Sequence, residues 1–444
     1  MSGQQLKRSL GPFILWGLGV GYVISGMYFG WNLGLPEGGT LGLAIATLFI
    51  IVMYICFTFC YTEMACAIPR AGGAFTYADR ALGRKWGFIA GMAQNIEFVF
   101  APPSIAFAIA AYLNHFVPGE HTVSIAIVAY LLFTLVNIVG VRFAAIFELV
   151  ITILAVCELL LFTGLTMPHV EWHNLAINAF PHGVSGIFAA IPFAIWFFLA
   201  IEGVANVAEE TINPQRNILI GFGAALATLI VLCLLVFVCA IGVNGWSTAV
   251  YAPGSTDPQD TPLVLVLSTV LGEGSPFVHL LVGIGLFGLI ASFHGILLAG
   301  GRATFEFGRV GYFPKALSYV HPKLNTPVNA LVANTVVGIL ALLTSRTGEI
   351  ITMACFGAIT MYALSMIAFL KLRQNEPDLE RPFHMPKGVA AAWIAFVIAI
   401  VALVAMTVFN LIIAAIYFVI LIGTFLIFAW SSRSQNSELS PKLD

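Results

Sequence analysis

Charge is scarce in this chain. Of 444 residues only 40 carry a formal charge, 19 basic and 21 acidic, or 9% of the total, whereas a soluble globular domain carries about 25%. That deficit excludes a cytosolic enzyme or a nucleic-acid binder. The net charge of −2 leaves no polybasic or acidic tract to hold a charged macromolecule. Metal-type cysteine spacing is also missing. The seven cysteines, Cys56, Cys60, Cys66, Cys157, Cys233, Cys239 and Cys355, lie in or beside apolar runs, and an odd number so placed reads as small packing residues rather than a disulfide framework. Neither HExxH nor GxSxG occurs and the nine histidines are dispersed, so membrane catalysis has no nucleophile, base or metal cluster to work with. No cofactor or metal is expected. The start MSGQQLKRSL runs directly into a long apolar span with no small-residue cleavage site, as a retained first helix does.

Apolar residues make up 60% of the chain. At about 20 residues per spanning helix, the length accommodates roughly twelve spans and no extramembrane domain. A closed barrel would need strands of about 10 residues alternating apolar and polar, whereas these runs are apolar throughout. The expectation is an all-α polytopic membrane protein in a lipid bilayer. Its spans lie near 12–35, 41–62, 86–115, 122–141, 145–167, 185–206, 217–243, 277–300, 327–345, 348–371, 389–408 and 411–431. With the N-terminus cytoplasmic, eighteen of the 19 Lys and Arg residues fall on the inner side and only Arg346 falls outside, a positive-inside asymmetry that one miscounted span would scramble. The outer loops carry Glu37, Glu120, Glu171, Asp257, Asp260, Glu273 and Glu349. They read either as solvated loop surface or as a mild field concentrating a cationic solute.

Two spans read poorly as plain helices. The first, GPFILWGLGVGYVISGMYFGWNLG, holds Gly11, Gly17, Gly19, Gly21, Gly26, Gly30 and Gly34 with Ser25 in mid-membrane. It is either a tightly packed helix or one broken around Ile24 to Met27. The sixth, GIFAAIPFAIWFFLAIEGVANVAEETINPQRN, places Pro192 early, then Glu202 and Gly203 near the middle. Two interrupted spans five helices apart point to an inverted-repeat transporter whose site lies where the helices unwind.

A carboxylate at the depth of Glu202 costs about 2.5–3.5 kcal/mol on the lenient insertion scale. No Lys or Arg lies at mid-membrane depth to offset it. Its partner is a proton, a backbone end or a bound cation, so Glu202 is either a substrate ligand or a protonated structural carboxyl. Glu97 follows Gln94 and Asn95 on span three, and these three either line a cavity or bond a neighbouring helix. Glu158 on span five and His294 on span eight are candidate coupling groups, His294 alternatively donating between helices. Glu148, near the inner end, reads as a snorkelling side chain. Trp196, Phe197, Phe198 and Ala200 precede Glu202, while Tyr28, Phe29 and Trp31 follow the first break. Aromatic faces beside a carboxylate suit an ammonium ligand, although packing explains them equally.

The stretch YTEMACAIPRAGGAFTYADRALG, with Glu63, Pro69, Arg70, Gly72 and Gly73, resembles the end of the second helix and following loop of the amino acid-polyamine-organocation permeases. The resemblance continues in VANVAEETINPQRNI (204–218) and in GRATFEFGRVGYFPKALSYVHPKLNTPVNAL (301–331), in the family's order and spacing. It implies a five-plus-five inverted-repeat, leucine-transporter-like fold with broken helices 1 and 6 and two extra C-terminal helices. The repeats would cover 12–167 and 185–371, followed by 389–431 and a cytoplasmic tail from 432. It also implies a substrate site between spans one and six, aided by three and eight. Where amino-acid members carry a Gly-Ser-Gly-like or Gly-Ala-Gly-like string, this sequence has Ser25, Gly26 and Met27, then Tyr28, and the bulk of Met27 would hinder a substrate carboxylate. Ala155 stands where several proton-coupled members carry Lys. The chain therefore looks similar to the ethanolamine permeases. The expectation is a secondary active importer of ethanolamine or a close small amine in a bacterial inner membrane, both termini cytoplasmic, with a proton or Na⁺ as coupling ion. The rivals are an amino-acid or polyamine permease of the same fold and, more distantly, a channel.

Overall fold

Lipid offers no hydrogen bonds to a peptide backbone, so a chain this apolar must satisfy its amides internally, as helices do. A computed structural model describes residues 8–70, 72–116, 119, 121–139, 144–272, 274–324 and 326–438. Lys7, Glu120, Arg142, Glu273 and Lys442 lie outside the described residues. Among the described residues there is no β-strand, only two isolated bridges.

The first expected span is divided into α1 (Pro12–Val23), α2 (Ser25–Tyr28) and a 3-10 turn, Trp31–Gly34. Next come α3 (Leu35–Ala67), kinked at Gly39, the short α4 (Gly73–Leu82) and α5 (Arg84–Asn114). They are followed by α6 (Thr122–Val139) and α7 (Ala144–Thr166). The sixth span is divided too, into α8 (Gly183–Ala189), α9 (Ile191–Trp196) and a 3-10 helix, Ile201–Glu210. Then come α10 (Pro214–Gly242), α11 (Pro262–Leu271), α12 (Pro276–Arg309) and α13 (Val328–Leu342). Last are α14 (Thr347–Asn375), α15 (Gly388–Phe409) and α16 (Leu411–Glu438). Proline opens α1, α10, α11 and α12 at the first position, where its missing N–H costs nothing.

Among the described residues, ten helical segments are long and apolar enough to cross a membrane. The two remaining expected spans are shorter: α1 has 12 residues because the chain breaks after it, and α13 has 15. The short α4 and α11 were not anticipated as helices, since neither is long enough to register as a span.

Burial sorts the helices. The sixth span, α5 and α14 are buried along most of their length, whereas α6, α15 and α16 turn Leu131, Leu135, Val404, Val408, Ile412 and Val419 outward, as lipid-facing surfaces require. Gly357 lets α14 press onto α5, since a methyl there would stand 2.5 Å from the Ala93 carbonyl. That approach brings Glu97 of α5 and Tyr362 of α14 to one level of the bundle.

Arg80, Arg302, Arg373 and Arg381 form acid–base pairs at one end, the basic end. There Glu63, buried at the end of α3, receives Arg373 Nε at 2.9 Å and Arg373 Nη2 at 2.5 Å, the Met385 amide at 2.7 Å, and pairs with Arg381 at 3.3 Å. One carboxylate thus ties α3, α14 and the segment before α15. Glu63→Gln is expected to lower the melting temperature in detergent, a loss on the order of 3 kcal/mol, because it leaves two guanidinium groups facing a neutral amide. A differential-scanning fluorimetry comparison checks it.

Candidate functional site

The sixth span unwinds where expected. After Trp196 the helix stops, and Ala200 sits at φ 73°, ψ 10°, a left-handed conformation unfavourable for a residue with a Cβ. What holds it there is electrostatic: the freed Ala200 amide donates to Glu97 Oε1 at 3.1 Å. Two residues on, Glu202 Oε2 accepts from the Tyr362 hydroxyl at 2.8 Å. The carboxyl groups of Glu97 and Glu202 lie within hydrogen-bonding reach of each other. Both residues are fully buried. Apart from this mutual contact, Glu97 Oε2 and Glu202 Oε1 receive no hydrogen bond from a donor among the described residues. Two carboxyl groups in such contact cannot both carry charge without a proton or a cation between them.

Aromatic rings close around this pair. Tyr362 packs edge-on against Tyr54 of α3 at 5.4 Å and over Phe57 at 4.3 Å, and Tyr54 meets Phe198 at 5.3 Å. The Tyr54 and Tyr362 hydroxyls are 3.2 Å apart. Gln94 lies one turn before Glu97 on α5, buried, its Nε2 without an acceptor.

The structure joins Glu202, Glu97, Ala200 and Phe198, but places several other expected residues elsewhere. Asn95 turns away: it donates to Gly91 O and accepts from Thr304 of α12 at 2.8 Å, so it bonds helix to helix. Trp196 donates to Phe29 O at 3.0 Å, and Phe197 stacks on Trp31 at 5.6 Å. Both weld the two broken spans together and do not face the carboxyl pair. Tyr28, expected near the ligand, points the other way, because Gly285 and Gly288 of α12 leave room for its ring. Its hydroxyl donates to Ala155 O at 3.0 Å and reaches Glu158. Glu148 does not snorkel. It is buried and meets His294 at 3.2 Å, since α1 and α12 cover it.

The first break also differs from the expectation. Ile24 keeps helical dihedrals, φ −59°, ψ −23°, and the chain leaves the helix only at extended Phe29 and at Gly30, φ 85°, a region open to glycine. Between Gly21 and Ser25 the ladder is opened by a side chain. Ser292 of α12 accepts from the Ser25 amide at 2.9 Å and donates to Gly21 O at 2.7 Å. The amides of Met27, Phe29 and Gly30 are bonded locally as well. Gly26 is pressed against the Trp196 carbonyl, where a Cβ would stand 2.5 Å away. Sequence reasoning missed Tyr54, Tyr362 and Ser292. The available signal was a polar side chain inside each apolar run, which many lipid-exposed positions share.

At the opposite, acidic end, Asp260 accepts from Thr347 Oγ1 at 2.9 Å, joining the segment before α11 to the start of α14. Burial pushes its carboxyl up to about 6 against the lowering effect of that hydrogen bond. Glu37, Glu349 and Arg346 share the same recess, with Arg346 paired to Glu349 at 2.8 Å.

The amino acid permease family model matches residues 10–431. A branched-chain amino acid permease of Bacillus subtilis is 28% identical over 413 residues, 87% of this chain and 85% of that protein. A methylthioribose transporter of the same organism is 26% identical over 409 residues, 86% and 85%. A vacuolar cationic amino acid transporter of Arabidopsis thaliana is 26% identical over 405 residues, 86% of this chain and 62% of that protein.

Ser292→Ala leaves the Ser25 amide and Gly21 carbonyl without their bridge, an expected cost of about 1–3 kcal/mol. Ser292→Thr is expected to restore the melting temperature that Ser292→Ala loses. For Asp260 the folded state holds its proton to higher pH than the unfolded state, so its contribution to stability falls as pH rises from about 4 to about 6. Asp260→Asn keeps an acceptor for Thr347 and removes that cost. Its melting temperature is expected to match wild type at about pH 4 and to exceed it at about pH 8.

Proposed function

The chain belongs to the amino acid permease family, a multi-pass membrane transporter of amino acids or related organic solutes, and from that premise we propose that it imports a small organic amine, ethanolamine first among them. The observation that carries this reading is the Glu97–Glu202 pair, two buried carboxyl groups with no Lys or Arg among their hydrogen-bonding partners. An ammonium group donates to both and neutralises one charge, and the rings of Tyr54, Tyr362 and Phe198 supply cation–π faces beside it. Gln94 Nε2, still without an acceptor, suits the ligand hydroxyl.

A substrate carboxylate finds less. The Ser25, Met27, Phe29 and Gly30 amides at the first break already have acceptors, and Met27 is fully buried. Binding of a ligand that lacks a carboxylate is consistent with both facts. On this reading residues 12–167 and 185–371 act as two inverted repeats that rock about the site, with 389–431 as two added helices. Ser25, Gly26, Met27, Trp196 and Phe197 then shape the joint between the broken spans. The basic end faces the cytoplasm of a bacterium, by the positive-inside rule.

The second reading is a cationic amino acid, favoured by the relative named for such substrates and by the same acidic pair. Uptake of labelled ethanolamine into proteoliposomes, with competition by lysine, leucine and putrescine, separates the two. Glu202→Gln is expected to weaken ethanolamine binding by about 2–5 kcal/mol, since it removes one charged partner of a buried pair, with the protein still in the membrane. Wild-type uptake by that variant would remove Glu202 from the site.

A further inference from the structure

A cleft at the basic end is lined by Tyr22 of α1, Glu148 of α7, His294 and Arg302 of α12, and Glu210 at the end of the sixth span. It shares no residue with the Glu97–Glu202 pair. Glu148 and His294 are both buried and meet Oε2 to Nδ1 at 3.2 Å. Glu148 Oε1 has no donor among the described residues and is directed at α1, where a methyl on Gly21 would stand 2.6 Å from it. From the other packed elements, Tyr22 and the Arg302–Glu210 ion pair, 2.9 Å, face the same cleft, and from α6 the neutral Asn137 amide bonds the His294 carbonyl at 3.4 Å. Arg302 is therefore already committed to Glu210. Over the cleft, the Ser9 and Leu10 amides bond Glu210 O at 2.8 and 3.1 Å, and Leu10 bridges to Thr211.

A carboxyl and an imidazole in contact hold one proton between them as a net-neutral pair. Losing that proton leaves a single negative charge in a low-dielectric seam, a state that only water or a rearrangement of the packed helices can stabilise. The seam is the one that holds the first break. Glu148 Oε1 lies against Gly21, and Ser292, two residues before His294 on the same helix, bridges Gly21 O to the Ser25 amide. The proton on the pair and the geometry of the broken first span are thus set by the same few atoms of α1 and α12.

We propose that the Glu148–His294 pair is the binding site of the coupling proton. It holds one proton while the Arg302–Glu210 pair and the Leu10–Thr211 bridge cover the cleft, and releases that proton to water at the basic end when they part, passing from net zero to −1. The inference rests on the transporter reading but not on ethanolamine as the substrate.

The test separates coupling from transport. In proteoliposomes, wild type is expected to exchange labelled ethanolamine at equal pH and to accumulate it under an acid-outside gradient. Glu148→Gln and His294→Gln are expected to keep exchange and to lose gradient-driven accumulation by about tenfold or more. Wild-type accumulation in both variants, or exchange without any gradient response in wild type, overturns the proposal. Failure of wild type to exchange ethanolamine overturns the substrate reading alone, and the same arms are then run with L-leucine and L-lysine. A readout free of substrate is infrared difference spectroscopy of the detergent-purified protein between about pH 5 and pH 8. A titrating carboxyl band that vanishes in Glu148→Gln and shifts in His294→Gln is expected, and its absence overturns the proposal.

Discussion

The contact between Glu97 and Glu202 is the constraint on which the rest of the centre depends. Two carboxyl groups facing each other in a medium that cannot solvate them require a proton or a cation between them. Around them the described residues supply an amide from Ala200, a hydroxyl from Tyr362 and a set of rings, but no basic hydrogen-bonding partner. The left-handed backbone at Ala200 follows from the same demand. It turns an amide that a continuous helix would consume toward Glu97, at a conformational cost of about 1–3 kcal/mol.

The second constraint is the lipid's refusal to hydrogen-bond. A broken helix in a bilayer exposes amides and carbonyls that must be met by protein or by ligand. At the first span the protein meets them: Ser292 enters the ladder between Gly21 and Ser25, and Asn32 takes the Gly30 amide. At the sixth span one is met by Glu97, a group that is itself without a full set of donors. The two breaks are therefore chemically unequal. The sixth centres on an acidic pair short of donors, whereas at the first the Ser25, Met27, Phe29 and Gly30 amides have acceptors.

The buried acids also divide by place. Glu97 and Glu202 sit where α5, α14 and the sixth span meet; Glu158 and Glu148 lie on α7, facing α2 and α12 through Tyr28 and His294. The broken first span packs against the sixth at Gly203 through Tyr22 and against Glu148 at Gly21. At the basic end Glu63 ties α3 to α14 through Arg373 and to the segment before α15 through Arg381, and at the acidic end Asp260 ties a loop to α14.

The helical class, most of the long apolar spans and the conspicuousness of Glu202 were legible in the sequence, because each follows from composition along the chain. A carboxylate without a basic residue at its depth stands out in a list of residues. The direction of each side chain did not follow from the sequence. Tyr28, Trp196 and Phe197 are neighbours of the two breaks in sequence, yet they weld helices together. Tyr54 and Tyr362, at chain distances of 148 and 160 residues from Glu202, close around it. Sequence alone determined that an uncompensated acid lies in the membrane. Only packing decided its company, because which face of a buried helix meets which neighbour depends on close approaches such as that at Gly357 and on room such as that beside Gly288, and nearly all faces of these helices are apolar.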